Sequence, residues 1–238
     1  MRIGEYAFAM GRHRDVDTAA PASTGMQDGL AYALYVPELK PRGGVVIVHG
    51  AGSSGHSHAD FARLCRASGL AAIVFDQRGH GASEGALGAG ALDDVAQMAA
   101  LLPGGPVFLR GSSMGGFMAL AAAPLIGARA VVAICPARRE LLLRGLRRGR
   151  LRFRADHPAL EELLATVDLE AAARALGPDL LLLHAEGDEQ VPVEHSAMLH
   201  DAAPGSRLLR LPGGHHRSLQ HDAELQAYAV RFFTRRTG

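Results

Sequence analysis

Ser113, Asp188 and the adjacent pair His215 and His216 are the side chains whose types and order in this chain can do chemistry. A hydroxyl is a weak nucleophile at pH 7. It attacks a carbonyl carbon only when an imidazole takes its proton, and the imidazole in turn needs a carboxylate to orient it. Ser113 stands in Gly111-Ser112-Ser113-Met114-Gly115, a G-x-S-x-G pattern in which a tight strand-to-helix turn exposes the hydroxyl and the glycines keep strand and helix from colliding. Gly81-Ala82-Ser83-Glu84-Gly85 matches the same pattern. The surroundings separate them. An apolar run at 107–109 leads straight into the first match and another at 117–123 leads out of it, whereas the second match lies beyond its nearest apolar run and leads into more glycine. Ser113 is the candidate nucleophile and Ser83 a decoy.

The remaining partners are sought in the order serine, acid, histidine. Asp188, in Glu186-Gly187-Asp188-Glu189-Gln190-Val191-Pro192, directly follows a strand candidate; Glu186 is its near rival, and Asp156, Asp168 and Asp179 fall before that strand. The base is expected after the last strand, where Gly213-Gly214-His215-His216-Arg217 offers two histidines that composition alone does not separate. A tetrahedral oxyanion needs two backbone N–H groups. Met114, just after the nucleophile, supplies one, and Ala51, in the loop after the run at 45–48, is the expected second. His49, His56, His58 and His80 lie in loops without a tight ligand spacing, so no metal site is expected.

These residues must be carried by elements that the pattern of apolar residues predicts. Residues 30–36, 45–48, 71–75, 107–109, 130–134, 180–184 and 207–211 read as strands, several of them continuous apolar runs of the kind buried on both faces of a parallel sheet. Helices are predicted at 60–68, 92–102, 117–123, 193–202 and 223–235. Residues 1–30 look polar and irregular. Strands alternating with helices imply an α/β fold with a doubly wound, mostly parallel sheet, and ligands beyond the carboxyl ends of its strands. The alternation breaks at 137–176, where only helical patterns occur. We expect one domain over 1–238 with this stretch as a short helical cap insertion. Eight arginines between 138 and 154 are answered within that stretch only by Glu140. A basic lid of this kind would recruit an anionic substrate; a solvated helix face with leucines packed inward is the simpler reading.

Composition narrows the function further. A chain of 238 residues with formal net charge +1 gives no global signal for nucleic acid or membrane surfaces. Two cysteines, Cys65 and Cys135, do not make a disulfide framework, and residues 1–17 lack the apolar run of a signal peptide. A cytoplasmic protein acting on a small molecule is expected.

Taken in order, His49-Gly50-Ala51-Gly52, the segment Phe75 to Gly85, Gly111 to Gly116, Gly187 to Pro192 and Gly213 to Ser218 resemble the α/β-hydrolase superfamily over nearly the whole chain from residue 30. The resemblance implies that Ala51 gives the second oxyanion N–H, that Asp188 is the acid and that His216, not His215, is the base. It also implies that the 76–85 loop is scaffold. Dienelactone hydrolases are similar in size but carry cysteine at the elbow, which Ser113 argues against. The activity implied is a serine hydrolase of carboxylic esters or thioesters that needs no cofactor. A perhydrolase or amidase on the same triad, or a binding protein on the same scaffold, are the alternatives.

Overall fold

The computed structural model describes residues 18–238, so the reading of residues 1–17 lies outside it. One eight-stranded sheet is formed by β1 (Ser23–Gln27), β2 (Leu30–Tyr35), β3 (Gly44–Val48), β4 (Ala71–Phe75), β5 (Val107–Ser112), β6 (Ala130–Ile134), β7 (Leu180–Ala185) and β8 (Arg207–Leu211), in the order β1-β2-β4-β3-β5-β6-β7-β8. From β4 to β8 every pairing is parallel, while β1 and β2 join antiparallel at one edge. β1 lies in the stretch expected to be irregular. Four of its five residues are exposed, so it carries no apolar alternation, and among the described strands it pairs only with β2.

The inner strands are buried on both faces because helices cover both. In β3, Val45 and Ile47 pack with α1 (Ala59–Ala67) and α8 (Ala223–Thr234) on one face, and Val46 and Val48 pack with α2 (Ala91–Ala100) and α3 (Met114–Ile126) on the other. Between β6 and β7 the chain forms α4 (Arg139–Arg147), α5 (His157–Thr166) and α6 (Leu169–Leu176), and α7 (Glu194–Ala202) leads to β8. Asp156 and Asp168 accept the Ala159 and Ala171 amides and cap α5 and α6, which is the work these two carboxylates do. Leu142 and Leu146 of α4 are buried, as its amphipathic pattern requires.

The 137–176 stretch is not wholly helical. Residues 152–156 run extended beside the 79–87 loop: Arg154 N–H donates to Gly79 O, Leu87 N–H to Arg154 O and Asp156 N–H to Leu87 O. A bridge pairs Leu87 with Ala155. No strand was expected there, because a single bridge leaves no periodic pattern. Among the described residues no helix is long and apolar enough to cross a membrane.

Candidate active site

The strand order reverses between β3 and β5, since β4 follows β3 to one side and β6 follows β5 to the other. A crevice forms at such a switch point beyond the carboxyl ends of the strands. Ser113 lies there, between β5 and α3, at φ 55° and ψ −120°. This left-handed conformation is costly for a residue with a Cβ, on the order of 1–3 kcal/mol, and persists because its surroundings impose it. Gly111 and Gly115 are obligatory in this turn. A Cβ on Gly111 would stand 2.0 Å from Gly115 O, and one on Gly115 would stand 2.1 Å from Val48 O. Ser113 N–H donates to Ile134 O at 2.9 Å, and Ala137 N–H donates to Ser113 O at 3.1 Å, so β6 also holds the turn. Ser83, the other pattern match, is buried; its hydroxyl donates to Asp76 O and accepts from Ala31 N–H, which ties the 76–85 loop to β2.

Met114 begins α3, so its N–H has no acceptor within the helix. Ala51 is reached through His49, a residue whose task the sequence did not disclose. Gln77 N–H donates to His49 Nε2 at 3.0 Å, which leaves the proton on Nδ1, and Nδ1–H donates to Gly50 O at 2.8 Å. Burial pushes the His49 pKa down to about 4, so this neutral tautomer persists at pH 7. Ser53 N–H also donates to Gly50 O, at 3.2 Å. In a trans peptide the C=O and N–H point opposite ways. Fastening the Gly50 carbonyl therefore turns the Ala51 N–H away from His49. A Cβ on Gly50 would stand 3.3 Å from Ser113 Cβ, which places this peptide against the elbow.

Asp188 and His216 meet although 28 residues separate them. His216 Nδ1–H donates to Asp188 Oδ2 at 2.7 Å, and Asp188 Oδ1 accepts the amides of Gln190 and Val191 at 2.8 and 2.9 Å. The Asp188 side chain is fully buried. Burial alone would raise its pKa, but the hydrogen bonds from His216, Val191 and Gln190 outweigh it and hold the carboxyl at about 2. His184 of β7 supports this loop, donating from Nε2 to Val191 O at 2.9 Å and accepting at Nδ1 from the Ser196 hydroxyl at 2.7 Å. The rivals are placed elsewhere. Glu186 is exposed and paired with Arg210, Asp179 binds Arg129 and Arg236, and His215 is exposed with its Nδ1 accepting from Arg217 N–H. Cys135 is buried and free, with Sγ within 4.8 Å of ligand-type atoms of both Asp188 and His216. A metal at these three would have to displace the Asp188–His216 hydrogen bond and a thiol proton that burial holds up to about 12.

The basic stretch is answered by more acids than its own sequence contains. Arg139 pairs with Glu140 of its own helix, while Arg138 pairs with Glu170 and Arg147 with Glu161, partners supplied by α6 and α5. Arg144, Arg148, Arg150, Arg152 and Arg154 have no carboxylate partner among the described residues. Arg152 stands beside the loop after β3, its Cβ 3.5 Å from where a Cβ on Gly52 would be; the neighbouring Phe153 stacks on His80 at 4.5 Å, and His80 Nε2 accepts the Gly52 N–H at 3.1 Å. A cleft of about 410 Å³ opens between Arg138, Arg139 and residues 165–170. Its lining includes neither Ser113 nor the Asp188–His216 pair.

The parallel sheet, the elbow on β5 and an acid and a histidine beyond β7 and β8 make an α/β-hydrolase fold, the fold that the ordered motifs imply. Residues 39–147 match the family described as serine aminopeptidase, S33. The fold is shared with Est1E from Butyrivibrio proteoclasticus, solved with ferulic acid, at 19% identity and TM-score 0.68, covering 90% of this chain and 99% of that one. It is shared also with a monoacylglycerol lipase from Paleococcus ferrophilus, at 20% identity and TM-score 0.66 (87% and 98% covered). A serine hydrolase without lid from Xanthomonas campestris is similar at 19% identity and TM-score 0.66 (91% and 95% covered). No curated protein matches the chain by sequence at a significant level.

Proposed function

We propose that the protein is a serine hydrolase that cleaves carboxylic esters or thioesters through an acyl-enzyme. The observation that carries this reading is the hydrogen bond from His216 to the buried Asp188 carboxylate, at the same carboxyl end of the parallel strands as the strained Ser113. In the proposed cycle His216 Nε2 takes the Ser113 proton as Oγ attacks the acyl carbon, and the negative charge on the carbonyl oxygen is met by the Met114 and Ala51 amides. The leaving alkoxide or thiolate departs with the proton from His216, and a water activated by the same imidazole then releases the acid. Asp188 holds the imidazole and stabilises its protonated form. The monoacylglycerol lipase named among the structural relatives fits acyl chemistry. Asp188→Asn keeps the shape of the loop but removes the charge, and is expected to lower kcat for p-nitrophenyl acetate roughly ten-thousand-fold; a loss below tenfold would remove Asp188 from the proposed mechanism.

Arg152, whose Cβ lies beside Gly52 and whose charge has no carboxylate partner among the described residues, is the residue we propose draws anionic substrates. Arg152→Glu is expected to raise KM for an ester with an anionic leaving group more than for its neutral counterpart. Equal changes for the two esters would count against this.

A further inference from the structure

We propose that Arg110 is a positioning residue, fastening the loop that bears His216 to the strand that bears Ser113. This rests on the reading of Ser113 and His216 as nucleophile and base. Arg110 lies in β5, three residues before Ser113, and is the largest fully buried side chain, 1% exposed. It projects onto the α1 and α8 face, among Phe61, Phe108 and Phe233. Its Nη2 donates to Gln220 O at 2.7 Å, its guanidinium lies 4.1 Å from the centre of the Phe61 ring, and its Nη1 is 3.4 Å from His58 Nδ1. Gln226 Nε2 donates to the same Gln220 carbonyl at 3.0 Å and to Asp60 Oδ2 at 2.7 Å, and Asp60 Oδ2 also accepts from His221 Nδ1 at 2.9 Å. Residues 220 and 221, just beyond His216, are thus held from several sides, and the cation of β5 is the central grip.

Core packing does not account for this arginine. A buried charge is costly, and an apolar side chain of similar length in the same place is often neutral or stabilising. Among the described residues no carboxylate forms an ion pair with the guanidinium, and Arg110 Nε and His58 Nε2 are buried without a hydrogen-bond partner. Burial pulls the Arg110 pKa down to about 10, which still leaves it charged at neutral pH. What the charge achieves is a link across 110 residues between the strand of the nucleophile and the loop of the base. Asp188 fixes only the Nδ1 side of the imidazole, and one hydrogen bond leaves the ring free to swing about it. Holding the loop at Gln220 sets where His216 Nε2 stands relative to Ser113 Oγ. A misplacement of about 1 Å costs on the order of a hundredfold in rate.

The test is Arg110→Met, an unbranched apolar replacement. The expected result is a Tm equal to or above that of the wild type, with kcat for p-nitrophenyl acetate down about 10- to 100-fold, KM little changed, and faster amide exchange at residues 214–222. Arg110→Lys is expected to recover part of kcat. A residue that only fills the core would let activity follow stability, so a folded Arg110→Met with wild-type kcat overturns the inference. Should Arg110→Met not fold, Arg110→Lys keeps the cation but shortens its reach to Gln220 O, and wild-type kcat together with wild-type exchange at residues 214–222 in that variant overturns the inference equally. Full activity in His216→Ala would instead sink the reading of the site on which the inference rests.

Discussion

Ser113→Ala is expected to lower turnover of p-nitrophenyl acetate by about a million-fold and to abolish labelling by a fluorophosphonate probe. The size follows from the way these groups act as a unit. Without Oγ there is no acyl-enzyme, and His216 with Asp188 has no proton to move; what is left is the residual acceleration that the oxyanion amides and binding give alone, on the order of a thousand-fold or more over water. The fold should tolerate the change, because the turn is imposed by Gly111, Gly115 and the Ser113 backbone bonds to Ile134 and Ala137, none of which involves the hydroxyl. Ser83 gives the matching control. It is buried with its hydroxyl committed to Asp76 O and Ala31 N–H, so a folded Ser83→Ala should still be labelled. Retained labelling of Ser113→Ala would end the assignment.

His216→Ala should be as damaging as loss of the serine, again about a million-fold in kcat, while His215→Ala should stay within a few-fold of wild type, as surface changes usually do. The two rings are neighbours in sequence and differ in partner. His216 Nδ1 binds the buried Asp188 carboxylate, which leaves Nε2 as the nitrogen for the proposed proton transfer; His215 is exposed, and its Nδ1 accepts an amide from Arg217. Parallel measurement of the two alanine variants decides between them, and loss of activity confined to His215→Ala would reverse the assignment.

Much of this arrangement was legible before any coordinates. Strands β3, β4 and β6 are continuous apolar runs whose character does not depend on their neighbours, and each lies within a residue of its expected bounds. Ser113 was separated from Ser83 by a strand leading in and a helix leading out, both local features. β1 was missed because an exposed edge strand has no apolar pattern to read. The extended 152–156 segment was missed for a related reason, its pairing being with a loop some seventy residues away.

The roles of His49, His184 and Arg110 could not be read at all, since each depends on a partner that the sheet brings near. Arg110 falls just past the apolar run at 107–109, and β5 extends through it to Ser112 in the structure, so nothing in the sequence marked it as buried. The arginine-rich stretch shows the same limit: Glu161 and Glu170 neutralise part of its charge only because α5 and α6 fold back beside it. By itself the sequence determined the chemistry on offer, a serine in a glycine-flanked turn followed by an acid and histidines in order, because turns and apolar runs are set within a few residues. Tertiary structure alone decided which histidine meets Asp188, which peptide faces the elbow and which cation grips the histidine loop. Those contacts join residues 28 to 110 positions apart and exist only once the strand order is set.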